Sequence, residues 1–228
     1  MKVLGIDTAV GACSAAVWEQ TAKASYQKIM TRGHAEELVP MINRALEKSG
    51  FTFSQLDLIA VTIGPGSFTG LRTGLAVAKG LGLALNIPVH GVTTLEAVAF
   101  AAKRARSLEA KLPIVVVLET SREEIFCQQF DGNAAEQGEV SAELESFIVE
   151  KLPRGSICLC GDGAQRILAG LPQSEHKRIH RLTLLERPTA EDVAEIAACR
   201  VERPIGAQPL YIYPPAAKIP ESGGRSRL

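Results

Sequence analysis

Five groups of side chains in this sequence have types and spacings that suit chemistry. Asp7 follows the apolar residues 3–6 and heads the small-residue stretch Asp7-Thr8-Ala9-Val10-Gly11-Ala12. A carboxylate at a strand end can orient a phosphate's magnesium ion or its water; it can equally cap a turn as an Asx residue. His34 stands before a helical pattern, but a helical zinc site needs a second imidazole one turn on, and residue 38 is leucine. That leaves His34 a capping or interface role, or none. The segment Gly64-Pro65-Gly66-Ser67-Phe68-Thr69-Gly70-Leu71-Arg72-Thr73-Gly74 offers backbone amides at a helix start, where anions are cradled. It lacks both the Gly-Lys-Ser/Thr ending of a Walker loop and the G-x-G-x-x-G spacing. Cys158-Leu159-Cys160 has no Cys/His cluster to complete a metal set, so both thiols read as buried neighbours on one strand face. Lys103-Arg104-x-Arg106 closes a helix, where cations complement the dipole; an RNA contact there lacks interleaved aromatics.

The helix after the glycine turn poses a second question. Gly70, Gly74, Ala78 and Gly82 recur every four residues and share one face. Each glycine costs about 1 kcal/mol of helix propensity relative to alanine, so something must compensate. A stripe without side chains admits another backbone closely, within the chain or from another subunit. Leu71, Leu75, Val77, Leu81 and Leu85 supply apolar ridges beside it.

These residues need elements to hold them. Residues 3–6, 13–19 and 23–30 read as a three-stranded antiparallel meander with a turn at 19–22. Residues 34–49 switch to a helical period: Leu38, Met41, Ile42, Ala45 and Leu46 form one stripe, Glu36 and Glu37 lie at the positive end and Lys48 at the negative end. Pro40 predicts a kink or a late start, and Ser49-Gly50 the stop. The apolar run 56–63 suits a buried central strand. It feeds the glycine segment, where Ser67 is placed to cap a helix lasting to Leu85. A strand at 89–92 and a helix through 105 follow, with Thr93 and Glu96 spaced for a capping box. The first lobe is thus β-β-β-α-β-α-β-α over residues 1–110.

Lys111-Leu112-Pro113 marks a boundary. Beyond it, strands are expected at 114–118, 125–130 and 157–160, helices at 142–151, 164–168 and 190–199, and a solvent-facing charged stretch at 176–181. This second lobe, 111–203, is the smaller, and its last helix is free to pack back on the first. Residues 204–228 are rich in proline and read as an extended, partly flexible tail.

Composition narrows the function classes. The 228 residues carry 25 Lys+Arg against 25 Asp+Glu, so there is no broad basic field to hold nucleic acid unaided. The apolar stretches end well short of the 18 or so residues of a membrane span. Met1-Lys2 runs straight into the first strand without a secretory leader. Five scattered cysteines suit a reduced compartment better than a disulfide scaffold.

Several of these segments resemble the TsaB (YeaZ) family. The likeness lies in Ile6-Asp7-Thr8-Ala9 with Cys13-Ser14-Ala15-Ala16-Val17, in Arg32-x-His34 with Leu38-x-Pro40-Met41-Ile42, and above all in the Gly64–Gly74 signature running into Ala78-Lys79-Gly80-Leu81. Gly91-Val92-Thr93-Thr94-Leu95 extends it; later it thins to Gly161-Asp162-Gly163 and Pro209-x-Tyr211. The resemblance implies an α/β, actin/Hsp70-like (ASKHA) two-lobe fold with mixed sheets and a reduced second lobe. It implies a cytoplasmic, non-catalytic subunit that binds and activates a TsaD-like catalytic subunit through first-lobe helices and is joined by a TsaE-like ATPase. The product is threonylcarbamoyladenosine at position 37 of tRNAs reading codons that begin with adenosine. The tRNA is met mainly through the assembled complex, and the chain alone can form a homodimer.

On that footing no tightly bound cofactor is expected, Asp7 is the one candidate for a nucleotide contact, and a nucleotide at a subunit interface stays open. The partner-interface candidates are Leu38, Met41, Ile42, Ala45, Gly70, Leu71, Gly74, Ala78 and Gly82. The competing explanation is internal: the glycines let their helix sit tightly on its own sheet. Two stretches depart from the family pattern. Leu118-Glu119-Thr120-Ser121-Arg122 replaces the usual Asp-Ala-Arg, and Tyr213-Pro214 stands where the family tends to have an arginine, so the tail is assigned no contact. The alternative from another class is an independent ATPase or peptidase of the actin-like superfamily.

Overall fold

The computed structural model describes residues 1–105 and 111–213. In the first sheet β1 (Val3–Asp7), β2 (Ala12–Glu19) and β3 (Thr21–Ile29) form the expected antiparallel meander. The chain then crosses through helix α1 (His34–Ser49) to β4 (Leu58–Gly64), parallel to β1, and through α2 (Phe68–Leu85) to β5 (Val89–Thr93), parallel to β4. Helix α3 (Thr94–Ala105) leads out of the lobe. Gly50, at φ 75°, ends α1 in the left-handed conformation that favours glycine. Pro40 neither delays nor ends α1, which starts at His34 with the Glu36 and Glu37 amides bonded to the Gly33 carbonyl.

Strand alternation sorts the side chains of this sheet. Leu4, Ile6, Ile59, Val61 and Ile63 point to one face and pack with Leu38, Met41, Ile42, Ala45, Leu75 and Ala78 of α1 and α2. Val3, Leu58 and Ala60 point to the other face, where they meet Ala97 of α3 and Val193, Ala194 and Ala197 of α6 (Ala190–Cys199). The last helix therefore lies on the first sheet. Its close approach has a sequence cause: a Cβ at Gly5 would stand 2.0 Å from the Ala190 carbonyl oxygen.

The second sheet holds β6 (Ile114–Leu118), β7 (Ile125–Phe130), β8 (Ser141–Glu143), β9 (Ile157–Cys160) and β10 (Ile179–Arg181), in the order β10-β9-β6-β7-β8. One face packs on Leu95, Val98, Ala99 and Ala102 of α3, and Cys158 and Cys160 lie on that face. The other is covered by α4 (Glu145–Lys151) and α5 (Ala164–Gly170). Helix α3 is thus shared, with Ala97 in the first lobe's core and its neighbours in the second's.

Four expectations are corrected here. The helix expected at 142–151 starts only at Glu145, because residues 141–143 pair with β7 as β8. The charged stretch 176–181 ends in a strand, β10, parallel to β9. Thr93 does accept the Glu96 amide, but the Glu96 carboxylate turns to Arg200 at 2.6 Å and leaves the capping box half made. The tail is not free of contacts: β11 (Ile205–Gly206) adds to β5, and the chain continues across both lobes to Tyr213. Arg106 and residues 214–228 lie outside the described residues.

The glycines of α2 differ in a way stability can read. A Cβ at Gly74 would stand 2.4 Å from Thr8 Oγ1, whereas one at Gly80 meets nothing within 4 Å. Denaturant unfolding should show Gly74→Ala destabilised by about 1–3 kcal/mol and Gly80→Ala stabilised by about 0.5–1 kcal/mol through helix propensity. The reverse order would mean that α2 is turned the other way.

Candidate functional site

Asp7 ends β1 with its carboxyl group fully buried. Oδ1 accepts the Ala9 amide at 3.0 Å and the Thr62 hydroxyl, from β4, at 2.8 Å. Oδ2 is buried with no partner among the described residues. Burial pushes the carboxyl up to about 7, against the pull of the Ala9, Thr62 and Thr8 hydrogen bonds and the Arg187 charge. The sequence held a signal for this contact: a threonine inside the apolar run 56–63 needs a buried partner, and Asp7 is that partner.

The glycine segment lies directly on this first turn. The Thr8 hydroxyl donates to the Gly70 carbonyl at 2.7 Å, and the Ser67 amide donates to the Ala9 carbonyl at 2.8 Å. Side chains would forbid the fit: a Cβ at Gly66 would stand 2.5 Å from the Ala9 oxygen and one at Gly70 2.1 Å from the Thr8 oxygen. Three of the segment's amides are spent inside the chain, Ser67 on Ala9, Gly70 on the capping Ser67 hydroxyl at 3.3 Å, and Leu71 on the Ser67 carbonyl at 2.9 Å. An anion cradle needs such donors free. The geometry makes this segment a packing device, and Asp7 the buried acid beneath it.

The second loop is closed in a similar way. The Glu119 amide donates to Asp162 at 2.8 Å, the Thr120 hydroxyl to the Glu124 carbonyl at 2.7 Å, and the Arg122 amide to the Thr120 hydroxyl at 2.9 Å. Arg166 binds Glu119 and Glu145. Among the described residues His34, buried at the start of α1, has no partner for Nε2, and no group of His, Cys, Asp and Glu converges to hold a metal ion. No described helix is long and apolar enough to cross a membrane.

The interface candidates need the largest correction. Leu38, Met41, Ile42 and Ala45 are buried in the chain's own first-lobe core. Gly70, Leu71, Gly74, Ala78 and Gly82 are all buried against the chain's own turn and sheet, where a Cβ at Gly82 would stand 2.3 Å from Val89. The internal explanation holds, because the helix needed its smooth face to reach Thr8. The face left exposed is the opposite one. Thr69, Ala76, Gly80 and Leu83 are exposed and Thr73 is half-buried, at spacings of four, three, four and three residues. Val39 is exposed on neighbouring α1 at 45%, and Leu83 at 86%. Sequence reasoning chose the stripe with more glycines and so passed over this one, which also consists mostly of small residues.

Comparison with known proteins places these features. A family model described as "TsaD: tRNA N6-adenosine threonylcarbamoyltransferase" matches residues 23–151. The tRNA threonylcarbamoyladenosine biosynthesis protein TsaB of Escherichia coli is 34% identical over 154 residues, a match that covers 66% of this chain and 65% of that protein. The chain thus spans slightly less than two thirds of that relative. The solved structure of YeaZ from Pseudomonas aeruginosa superposes with a TM-score of 0.77 at 27% identity, covering 92% of this chain and 99% of that one. An activator of 2-hydroxyisocaproyl-CoA dehydratase from Clostridium difficile shares the fold at 10% identity, with a TM-score of 0.51 over 89% of this chain and 96% of its own.

The buried acid gives a pH test. Its ordinary value of 3.8 applies in the unfolded chain and about 7 in the folded one, so the folded state holds the extra proton between them and stability falls as pH rises through that window. Asp7→Asn keeps the acceptor oxygen and cannot ionise. Its stability relative to the parent should grow from pH 4 to 7, by up to about 4 kcal/mol, and then level off. A pH-independent difference would show that Asp7 is ionised throughout.

Proposed function

The chain belongs to the TsaB (YeaZ) family and has the two-lobed actin/Hsp70-like fold; from that premise we propose that it is the non-catalytic subunit that binds and activates a TsaD-type transferase. The product is threonylcarbamoyladenosine at position 37 of tRNAs reading codons that begin with adenosine. The observation that carries the reading is the pair of faces on α2. One is consumed by Thr8 and the sheet, and the other presents Ala76, Gly80 and Leu83 to solvent. Small residues on an exposed helix face let a second helix approach closely. A catalytic partner of related fold docks there, with α1 beside it. The same face serves a homodimer when the chain is alone. A TsaE-like ATPase joins the assembly, and the tRNA is held mainly by the complex.

An independent ATPase would need free phosphate donors at the two turns. The amides of Ser67, Gly70 and Leu71 are committed internally, as is that of Glu119, which supports the accessory reading over that alternative.

Gly80→Arg tests the assignment, since a Cβ there meets nothing within 4 Å among the described residues and the side chain starts from the exposed face. The variant should fold normally and lose affinity for the TsaD-type subunit by about 100-fold or more, about 2.7 kcal/mol, by calorimetry. In cells it should lower threonylcarbamoyladenosine in bulk tRNA, read by nucleoside mass spectrometry, while the threonylcarbamoyl-AMP intermediate still forms. Normal binding together with normal modification would refute the reading.

A further inference from the structure

Residues 205–213 touch both lobes in succession. Ile205 and Gly206 pair with Gly91 and His90 of β5, and the Leu210 amide donates to the Ile63 carbonyl at 2.8 Å, at the end of β4. Tyr211 then lies on the first turn of α2. Its ring stands 5.5 Å from that of Phe68, its hydroxyl accepts Arg72 Nε at 3.0 Å, and the Arg72 guanidinium lies 3.7 Å over the Phe68 ring. Two residues on, Tyr213 packs on the second lobe. Its ring is 5.5 Å from Phe126 of β7, and Arg122 of the divergent second loop sits 4.0 Å over it. Ile212 joins the same second-lobe core.

The exposed part of this strap is an aromatic and arginine cluster. Phe68 is 53% and Tyr211 43% accessible, and Arg72 is exposed beside them. The cluster lies where the outer face of α2 begins, one residue before Thr69. Aromatic and arginine side chains are the types that carry most interface energy. Here they are already ordered by one another, which lowers the entropy cost of binding.

We propose that the strap is part of the surface that receives the transferase subunit, and that through Tyr213 it couples that surface to the position of the second lobe. The proposal rests on the reading of α2 as the docking helix and extends it. A partner seated on Phe68, Arg72 and Tyr211 bears on a segment whose next residues are stacked on β7 and the 119–122 loop. Moving the second lobe away pulls Tyr213 and disturbs Tyr211, so a partner that binds the ordered strap favours the closed arrangement by its differential affinity.

Binding to the TsaD-type subunit and amide exchange, measured on full-length variants, test this. Tyr211→Ala and Tyr213→Ala should each weaken binding by about 10-fold, and Tyr213→Phe, which keeps the ring and loses only a hydroxyl without a hydrogen-bond partner among the described residues, should bind as the parent does. Tyr213→Ala should also raise exchange in residues 64–72, across the strap from the mutated ring. Parental affinity in both alanine variants overturns the strap proposal, and if Gly80→Arg still loses binding, the helix reading survives it. Parental affinity in Gly80→Arg overturns the helix reading, while Tyr211→Ala continues to decide the strap. Should Tyr213→Ala lower the melting temperature broadly, the exposed Tyr211→Ala carries the test alone.

Discussion

Thr8 resting on the glycine face of α2 is the contact on which the rest of this structure depends. The carbonyl and hydroxyl of Thr8 occupy the space that side chains at Gly70 and Gly74 would fill. The helix therefore lies close against the end of β1, and Asp7 is closed off from water beneath the turn. The cost is real: Gly70 and Gly74 sacrifice about 1 kcal/mol each in propensity, and a carboxyl is buried with one oxygen unpartnered among the described residues. What offsets it is the packing of Leu75 and Ala78 with Ile6, Val61 and α1 in one continuous core. The first turn thus serves to fix a helix.

Fixing that helix determines what the surface can offer. With one face of α2 in the core, its opposite face exposes small residues and Leu83, with the Phe68, Arg72 and Tyr211 cluster at its start. Helix α3 ties the two sheets by sharing its side chains between their cores, and α6 returns to cover the back of the first sheet. The second lobe is therefore held by a shared helix, a returning helix and the strap.

Much of this was legible in the sequence wherever local rules decide. The meander, the limits of α1, the Ser67 cap and the strand pair of cysteines all follow from periodicity and capping residues, which act within a few positions. The direction in which α2 faces was not legible. Two stripes of small residues run along it, and only the tertiary position of Thr8 selects which is buried. Glu96 shows the same limit, since Arg200, 104 residues away, competes successfully for its carboxylate. The strap was missed because the five prolines of residues 204–228 and the Ser-Gly-Gly-Arg-Ser-Arg near their end make the whole stretch read as a loose tail, and the partners of Tyr211 and Tyr213 lie on distant elements. Strand β10 escaped because its charged residues resemble an exposed loop, yet a sheet edge tolerates them well.

Hydroxyl-radical footprinting of the full chain, alone and with a purified TsaD-type subunit, tests the central claim most directly, because it reads side chains rather than overall affinity. The account predicts that labelling of Leu83, Val39 and Phe68 falls on addition of the partner, while Leu184 and Phe147, exposed on the second lobe at 95% and 51%, are labelled as before. Unchanged labelling of Leu83 and Val39, with protection at Phe147 or Leu184 instead, would contradict it and move the partner to the other lobe.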